Sequence, residues 1–221
     1  MYEKFIKKYN EAVYDTNRAG AMQVIDEALA EGLTPEDIIF KLIVPAMEVM
    51  IKAISVDFDV NLAQHFMTAQ IASEATDAMI ARLDNPPEIL GHIVIGAAAG
   101  DMHTLGKRIV IGCLKALRIE AVDIGVNVPP EKFVDEALRI GAPVIAISAM
   151  MSHTASGERG CLGVRKILKE RNLEDQIKII IGGAPFRFDP ELYRKVGADA
   201  TANDGIAAGD VVKQLMKEVG V

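Results

Sequence analysis

The chain has 221 residues, of which 50% are apolar, and its 24 Lys and Arg against 31 Asp and Glu give a net charge of −7. A chain of this length and composition can bury a sizeable core, as one large domain or two small ones. The negative charge, without basic runs or interleaved aromatic residues, argues against a nucleic-acid partner. The first residues lack a continuous apolar segment and no later run approaches the ~20 apolar residues that span a bilayer, so we expect a cytoplasmic protein without a membrane partner.

Two cysteines, Cys113 and Cys161, stand alone in the sequence. They form neither a CxxC pair nor a disulfide framework, a pattern typical of a reducing compartment. We predict that both are small buried residues without a chemical role.

Residues 1 to about 83 have apolar side chains at helical spacing and few Gly or Pro, which predicts a small helix bundle. Thr34 is expected to cap a helix that has Pro35 in its first position. Pro45 is expected to kink this helix, because a proline inside a helix removes a hydrogen bond. Asn61 is expected to cap the next helix.

The segment of residues 84–88 contains two consecutive prolines and cannot continue a helix. The boundary is predicted here, between a helical bundle domain at residues 1–84 and an α/β domain at residues 85–221. In the second domain short apolar runs alternate with helical patterns, which predicts a doubly wound, Rossmann-like sheet of five parallel strands. The predicted strands are residues 93–97, 121–124, 144–147 and 177–181 and a short one near Ala198.

Polar and glycine residues follow three of these strands, at residues 101–106, 148–154 and 182–183. Because doubly wound sheets bind ligands at the carboxyl ends of their strands, we predict the functional site at these loops.

The residues of these loops have several other interpretations. An ordinary strand-to-helix loop would use Asp101 as a helix cap and leave His103 merely hydrogen-bonded. A nucleophile elbow requires GxSxG, which the segment around Ser148 lacks. The spacing of the four histidines and two cysteines does not suit zinc, and the glycines after the first strand do not have the GxGxxG spacing of a dinucleotide site.

The combination of motifs is more specific than any one of them. Asp101-x-His103-x-x-Gly106, Ser148-x-Met150 and Gly182-Gly183 follow the first, third and fourth predicted strands in that order. Together they resemble the DxHxxG, SxL and GG signature of cobalamin-binding, or B12-binding, domains.

Flanking segments extend this resemblance over nearly the whole chain. Residues 106–110, GKRIV, resemble the family's GKNIV, and residues 123–132, DIGVNVPPEK, resemble its DLGVDVPPEK. Residues 44–48, VPAME, resemble the helical cap of methionine-synthase-type proteins.

One part of the cap departs from the family. Residues 51–63 lack the acidic, glycine-containing FEEGEYFLPEL pattern. Phe66 and Met67, which follow this segment, are the candidates for contacts above the cobalt.

The resemblance implies a role for each member of a catalytic set. In this family the histidine of DxHxxG replaces the cofactor's own dimethylbenzimidazole as the lower axial ligand of cobalt, so His103 is the expected metal ligand. Asp101 is expected to hold the other ring N–H of this histidine. Thr154 is expected to complete a relay that exchanges a proton when cobalt changes valence.

The resemblance also implies a slot for the displaced nucleotide tail of the cofactor. The motif glycines lack side chains that would block it, and the motif serines occupy positions that contact the dimethylbenzimidazole and lower-ligand region in the family. Met150 stands where the family prefers Leu, a change that conserves volume. The predicted cofactor-binding residues are Asp101, Met102, His103, Gly106, Ser148, Met150, Ser152, Gly182, Gly183 and Asp204, the last at the far end of the tail.

The function implied by the resemblance is that of a corrinoid methyl carrier in a multi-component methyltransferase system. A substrate-specific methyltransferase would load cob(I)alamin with a methyl group from an aryl methyl ether, a methylamine or methanol. A second methyltransferase would pass the group to tetrahydrofolate or a thiol acceptor, and a reductive activator would restore the cofactor. The chain would not be catalytic alone, and its unusual cap segment favours O-demethylase systems.

Three alternatives remain open from the sequence. Mutase subunits use the same domain beside a substrate-binding barrel and generally lack this cap. Light or B12 sensors join a similar cap and domain to a DNA-binding head, for which the first residues offer no match. A cobalamin store or chaperone would need the same motifs.

Overall fold

The structure is a computed structural model that describes residues 2–47, 49, 62–82 and 89–220. The predicted cap at Asn61, most of the unusual cap segment and the predicted boundary at residues 84–88 lie outside the described residues.

Contacts between residues divide the chain into two compact units. The first comprises Met1–Glu88 together with Lys115–Arg118, and the second comprises Ile89–Leu114 together with Ile119–Val221. The exact domain boundary stays a prediction.

The described part of the first unit is helical. Its elements are α1 (Tyr2–Tyr14), α2 (Arg18–Ala30), α3 (Pro35–Ile38), which continues into a π-helical turn (Ile39–Ile43), and α4 (Leu62–Ile80). Their apolar faces supply the core, which includes Phe5, Tyr9, Ile25, Leu42, Ile71 and Met79.

The predicted start of α3 is confirmed. Asp37 N–H donates to Thr34 Oγ1 at 3.1 Å, and Thr34 N–H donates to Asp37 Oδ2 at 3.4 Å. This reciprocal capping box satisfies two backbone donors, with Pro35 in the first turn where its missing N–H costs nothing.

The helix adapts to Pro45 by widening. In the π-helical turn that precedes this proline, Val44 N–H donates to Ile39 O, five residues back. A proline ring crowds the carbonyl four residues earlier, here that of Lys41, and a wider turn moves this carbonyl aside. Helical structure then continues through residues 44–47.

The second unit is a five-stranded sheet in the order β2-β1-β3-β4-β5, with every neighbouring pair parallel. The predicted fold class, a helical bundle followed by a doubly wound parallel sheet, is therefore confirmed. The strands are β1 (Gly91–Ala97), β2 (Ile119–Asp123), β3 (Val144–Ser148), β4 (Lys178–Gly182) and β5 (Ala200–Thr201). The helices are α5 (Leu105–Ala116), α6 (Pro130–Ile140), α7 (Ser152–Ser156), α8 (Cys161–Glu170), α9 (Ala184–Phe188), α10 (Leu192–Lys195) and α11 (Gly205–Glu218).

The sheet is buried on both faces. One core cluster packs α6 and α8 against the sheet, through residues such as Val134 and Val164. The other packs α5 and α11 on the opposite face, through residues such as Leu114 and Val212. Strands buried on both sides have continuous apolar sequences, which is why the runs in this half of the chain identified them.

Two short helices between β4 and β5 were not predicted. α9 and α10 have 5 and 4 residues, too few for a periodic apolar pattern to stand out. Among the described residues no helix is long and apolar enough to cross a membrane.

Both cysteines are buried and free, as predicted. Burial raises the pKa of the Cys113 thiol to about 12, and the Asp204 carboxylate adds to the shift. Burial also raises the pKa of the Cys161 thiol to about 12.

Candidate functional site

The strand order places a crevice between β1 and β3. The sequence order of the strands reverses there, and ligands of such sheets bind beyond the carboxyl ends of the strands at this point. Ala97 at the end of β1 is paired in register with Ser148 at the end of β3. The loops that follow these two strands therefore begin side by side.

The loop after β1, residues 98–104, is called the histidine loop below. It opens with a turn in which Asp101 N–H donates to Ala98 O at 2.8 Å. Gly100 lies inside this turn with a φ of +85°, where a residue with a side chain would be strained. The turn delivers the Asp101 side chain into the protein, where it is 0% exposed.

Both oxygens of the Asp101 carboxylate are fully engaged. Oδ1 accepts hydrogen bonds from the His103 backbone N–H at 3.0 Å and from His103 Nδ1 at 2.8 Å. Oδ2 accepts from the Met150 backbone N–H at 2.6 Å and from Thr154 Oγ1 at 2.9 Å. One buried carboxylate thus ties the histidine loop to the loop after β3.

Thr154 lies on the short helix α7 and is 2% exposed. Its Oγ1 is 2.9 Å from Asp101 Oδ2 and 2.9 Å from Met151 O, so its single proton is donated to one of these acceptors at a time. The structure brings Asp101, His103 and Thr154 into one chain of hydrogen bonds, as the predicted relay requires. Their catalytic roles stay predictions.

Opposing effects act on the charge of Asp101. Burial pushes the pKa of this carboxyl up, because a buried charge loses hydration. The hydrogen bonds donated by the His103 and Met150 backbone, the His103 ring and Thr154 stabilise the carboxylate, and the net pKa is lowered from its ordinary value. An ionised carboxylate accepts from all of these donors at once.

The tautomer of His103 follows from this acceptor. A carboxylate next to Nδ1 keeps the proton on Nδ1, as inferred from the hydrogen-bond network. The lone pair is then on Nε2, the ring nitrogen that faces away from Asp101. The imidazole is 53% exposed, so it can meet a ligand from outside the protein.

Other predicted binding residues line the same two loops. Met102 is 66% exposed beside His103, and the sequence analysis did not single out Met151, which is 45% exposed on the loop after β3. Met150 is partly buried and holds Asp101 through its backbone. Exposed methionines on site loops offer adaptable apolar contact area for a ligand. Their exposure was not predictable from a helical or strand period.

The two predicted serines differ in position. Ser148 ends β3 and is partly buried, whereas Ser152 begins α7 and is exposed. The backbone carbonyl of Ser152 accepts a hydrogen bond from Ser156 Oγ at 2.8 Å. Their contacts with a cofactor stay predictions.

The motif glycines fall into two groups. A Cβ at Gly106 would meet nothing within 4 Å, and one at Gly182 would meet only Ala202 O at 3.8 Å. A Cβ at Gly183 would lie 2.0 Å from Ala149 O, and the φ of Gly183 is +137°. Gly183 is therefore required by the protein's own backbone, a different reason from the open slot that the motif suggested.

Asp204 has an explanation within the fold. Its Oδ1 accepts from Ala207 N–H at 2.8 Å, and its carbonyl accepts from Ala208 N–H at 3.0 Å, so it caps the start of α11. Its predicted contact with the cofactor tail stays a prediction.

Two further residues support the histidine loop, and sequence reasoning assigned them no role. Asn127 bonds to Gly100 and Asp101, and the buried Lys107 bonds to the loop after β2. Both lie in the segments GKRIV and DIGVNVPPEK that carried the family resemblance. These two segments were the signal by which the residues could have been found. Their hydrogen-bond partners could not be predicted, because they lie on loops that are distant in the sequence and meet only in the fold.

The residues present fit a corrinoid. A half-exposed imidazole that turns Nε2 away from its carboxylate partner can bind cobalt through that nitrogen, and the buried carboxylate holds the orientation of the ring. Exposed Met102 offers apolar contact, and the open positions at Gly106 and Gly182 leave space that side chains would fill.

Comparison with known protein families agrees with this site. The B12 binding domain family matches residues 91–209, and a second B12 binding domain model matches residues 6–53. The first match covers more than half of the chain and includes the histidine loop, the loop after β3 and the Gly182-Gly183 pair.

Relatives of known name align over nearly the whole chain. The chain is 32% identical to monomethylamine corrinoid protein 2 of Methanosarcina acetivorans, over 97% of this chain and 98% of the relative. It is also 32% identical to the dimethylamine corrinoid protein of Methanosarcina barkeri, over 97% of this chain and 98% of the relative. The solved structure of the Methanosarcina barkeri monomethylamine corrinoid protein matches with a TM-score of 0.61 at 29% identity, over 98% of this chain and 100% of that one. The chain therefore belongs to the family of B12-binding corrinoid proteins, and cobalamin is its cofactor.

Proposed function

We propose that the protein carries methyl groups on its cobalamin, from a methyltransferase that takes them from a small substrate to a second methyltransferase that delivers them to an acceptor. The observation that carries this proposal is the His103 imidazole, half exposed and oriented by the buried Asp101 at 2.8 Å. The relatives, named as methylamine corrinoid proteins, support the same function.

When bound, the cofactor supplies a cobalt centre that accepts a methyl group in its reduced state and gives it up to a nucleophile. The protein's own residues would hold that centre. His103 would bind the cobalt through Nε2, while Asp101 Oδ1 accepts the hydrogen bond of Nδ1–H. A shift of this proton toward Asp101 makes the imidazole a stronger ligand, and its return weakens the ligand.

Thr154 and the Met150 backbone N–H set how readily the Asp101 carboxylate accepts the proton that it shares with His103. Both donate to Oδ2, so they stabilise the carboxylate and keep the shared proton on the His103 ring. The Thr154 hydroxyl can turn to Met151 O at 2.9 Å, which removes one donor from Asp101 without breaking the loop.

A protein that only carries the methyl group needs partner proteins that load it, unload it and restore its cofactor. A substrate-specific methyltransferase loads the methyl group, a second methyltransferase passes it to tetrahydrofolate or a thiol, and a reductive activator restores the cofactor. The names of the relatives favour a methylamine as donor. The O-demethylase preference rested on residues 51–63, most of which lie outside the described residues.

The test is transfer of an isotopically labelled methyl group to the reduced, cobalamin-loaded protein. Purified methyltransferases specific for methylamines, methanol and aryl methyl ethers are supplied one at a time with their labelled substrates. We expect label on the protein-bound corrinoid with a methylamine enzyme. Label with another enzyme would correct the donor, and stable cobalamin binding without transfer in any arm would indicate a store or chaperone instead.

A matched pair of variants separates ligand chemistry from general damage. His103→Ala is expected to lose transfer. His92→Ala removes a histidine that also pairs with a carboxylate at 2.8 Å, but at the start of β1, and it is expected to keep transfer.

A further inference from the structure

One residue of the loop after β2, Asn127, binds the main chain of the histidine loop at two adjacent residues, once through its backbone and once through its side chain. The Asn127 backbone N–H donates to Asp101 O at 2.9 Å. Gly100 N–H donates to Asn127 Oδ1 at 2.8 Å. Asn127 therefore holds the residue that orients His103 and the residue just before it.

The backbone conformation of Asn127 makes both bonds possible. Its φ is +51°, in the left-handed region that few residues other than Gly and Asn adopt readily. From this conformation the side-chain Oδ1 reaches the N–H of Gly100, 27 residues earlier in the sequence. A residue without a side-chain acceptor would keep at most the first of the two bonds.

The loop that carries Asn127 is itself firmly held. Lys107 of α5 is 3% exposed, and its Nζ donates to Asp123 Oδ1 and to Gly125 O, the latter at 2.8 Å. Gly125 N–H donates to Asp123 Oδ1 at 2.9 Å. The bridge between Ala98 and Val128 continues the pairing of β1 and β2 past both strands. Asn127 thus joins the histidine loop to a fixed support.

We propose that Asn127 is a positioning residue that keeps His103 in the orientation in which it binds cobalt. The inference rests on the proposed role of His103 as the axial ligand. The Asp101 side chain accepts a hydrogen bond from the imidazole. Asn127 bonds to the main-chain oxygen of Asp101 and to the N–H of Gly100. Movement of the Asp101 main chain would carry Oδ1 away from Nδ1, so the ring would lose its orientation without any change in the ring itself.

Three variants isolate the side-chain contact. Asn127→Gly keeps the positive φ and the backbone N–H but deletes the acceptor for Gly100. Asn127→Asp keeps an oxygen in that position, and the family pattern itself has Asp there. Asn172→Gly is the matched control, because Asn172 is an exposed asparagine with a φ of +56° between α8 and β4.

The first measurement is electron paramagnetic resonance of nitrogen-15-labelled protein loaded with unlabelled cob(II)alamin. In this sample a nitrogen-15 splitting reports a histidine bound to cobalt, whereas a nitrogen-14 splitting reports the cofactor's own dimethylbenzimidazole. Asn127→Gly is expected to lower the ratio of histidine-bound to histidine-free cofactor about two- to tenfold, the range set by one net hydrogen bond. Asn127→Asp and Asn172→Gly are expected to match the wild type.

The second measurement needs no cofactor. Amide hydrogen exchange at Asp101 and His103 in the cobalamin-free protein is expected to quicken in Asn127→Gly by about the same factor and to stay unchanged in Asn172→Gly. A general loss of stability would instead quicken exchange in the central strands as well.

The outcomes separate this inference from the proposed function. Nitrogen-15 splitting from the labelled protein that survives in His103→Ala would overturn the ligand assignment and the role of Asn127 together. Splitting that is lost in His103→Ala but unchanged in Asn127→Gly would overturn the role of Asn127 alone. An equal change in Asn172→Gly would also overturn it, because the effect would then belong to any asparagine in this conformation.

Discussion

Two histidine–carboxylate pairs lie at opposite ends of β1, and their differences show why the pair of His103 is better suited to hold a ligand. His92 Nδ1 is 2.8 Å from Glu120 Oε2 at the start of the strand, and His103 Nδ1 is 2.8 Å from Asp101 Oδ1 beyond its end. The two imidazoles are similarly exposed, 48% and 53%. The carboxylates are not, because Glu120 is 52% exposed and Asp101 is 0% exposed.

Distance therefore does not distinguish the pairs, whereas the surroundings of the carboxylate do. A pair between exposed side chains contributes little, because solvent screens it and both side chains move. Asp101 is held by donors from His103, Met150 and Thr154 in addition to the imidazole. A histidine becomes a directed ligand when its partner is buried and fixed.

The largest expected effect is on cobalt ligation. His103→Ala should abolish the nitrogen-15 splitting that the labelled protein gives in the cob(II)alamin form, and it should change the absorbance, because the cofactor loses its histidine ligand. His92→Ala should leave both spectra as in the wild type. Equal spectra for the two variants would remove the distinction between the ends of β1.

The next largest effect is expected on the stability of the cofactor-free protein, which should distinguish the Asp101 carboxylate from the Glu120 carboxylate. Asp101→Ala leaves several buried donors without an acceptor and is expected to lower the free energy of unfolding by about 2–4 kcal/mol. Glu120→Ala removes one exposed pair and is expected to change it by about 0.5 kcal/mol or less. Denaturant unfolding measures both, and similar losses would contradict the argument from burial.

A third prediction tests whether the carboxyl end of the sheet is shaped for the cofactor tail. Gly182→Leu has room for its Cβ in the cofactor-free protein, so its stability should change little while cobalamin affinity falls about tenfold or more. Gly183→Ala should instead lose stability directly, because its Cβ collides with Ala149 O. Titration with cobalamin and unfolding curves distinguish the two, and undiminished affinity in Gly182→Leu would place the tail elsewhere.

The smallest effect is expected at Thr154. Thr154→Val removes one donor to Asp101 and should lower the free energy of unfolding by about 1 kcal/mol, while Thr154→Ser restores the hydroxyl and should recover most of it. When the variants are loaded with cobalamin, Thr154→Val should change the reduction potential of the cofactor, and Thr154→Ser should leave it close to that of the wild type. No change in potential with Thr154→Val would remove this hydroxyl from the relay.

Much of the second unit could be predicted because its signals are local. Helix α6 spans Pro130–Ile140 and has local signals at both ends, since Pro130 suits a first turn and Gly141, with a φ of +68°, suits the stop. The ends of β5 and the short helices before it could not be predicted in the same way. Their few residues pack against neighbours that lie far away in the sequence.

The sequence by itself determined the alternation of strands and helices and the three loops at one edge of the sheet, whereas the resemblance to cobalamin-binding domains singled out Asp101, His103 and Thr154 on those loops. This follows because the carboxyl ends of parallel strands share an edge, so motif order implies proximity. Only the tertiary structure decided which atoms meet across that edge. Asp101 binds groups 49 and 53 residues away, Gly183 faces the carbonyl of Ala149, and Asn127 supports the histidine loop. Such contacts depend on strand register and loop conformation, which the spacing of residues along a chain does not encode.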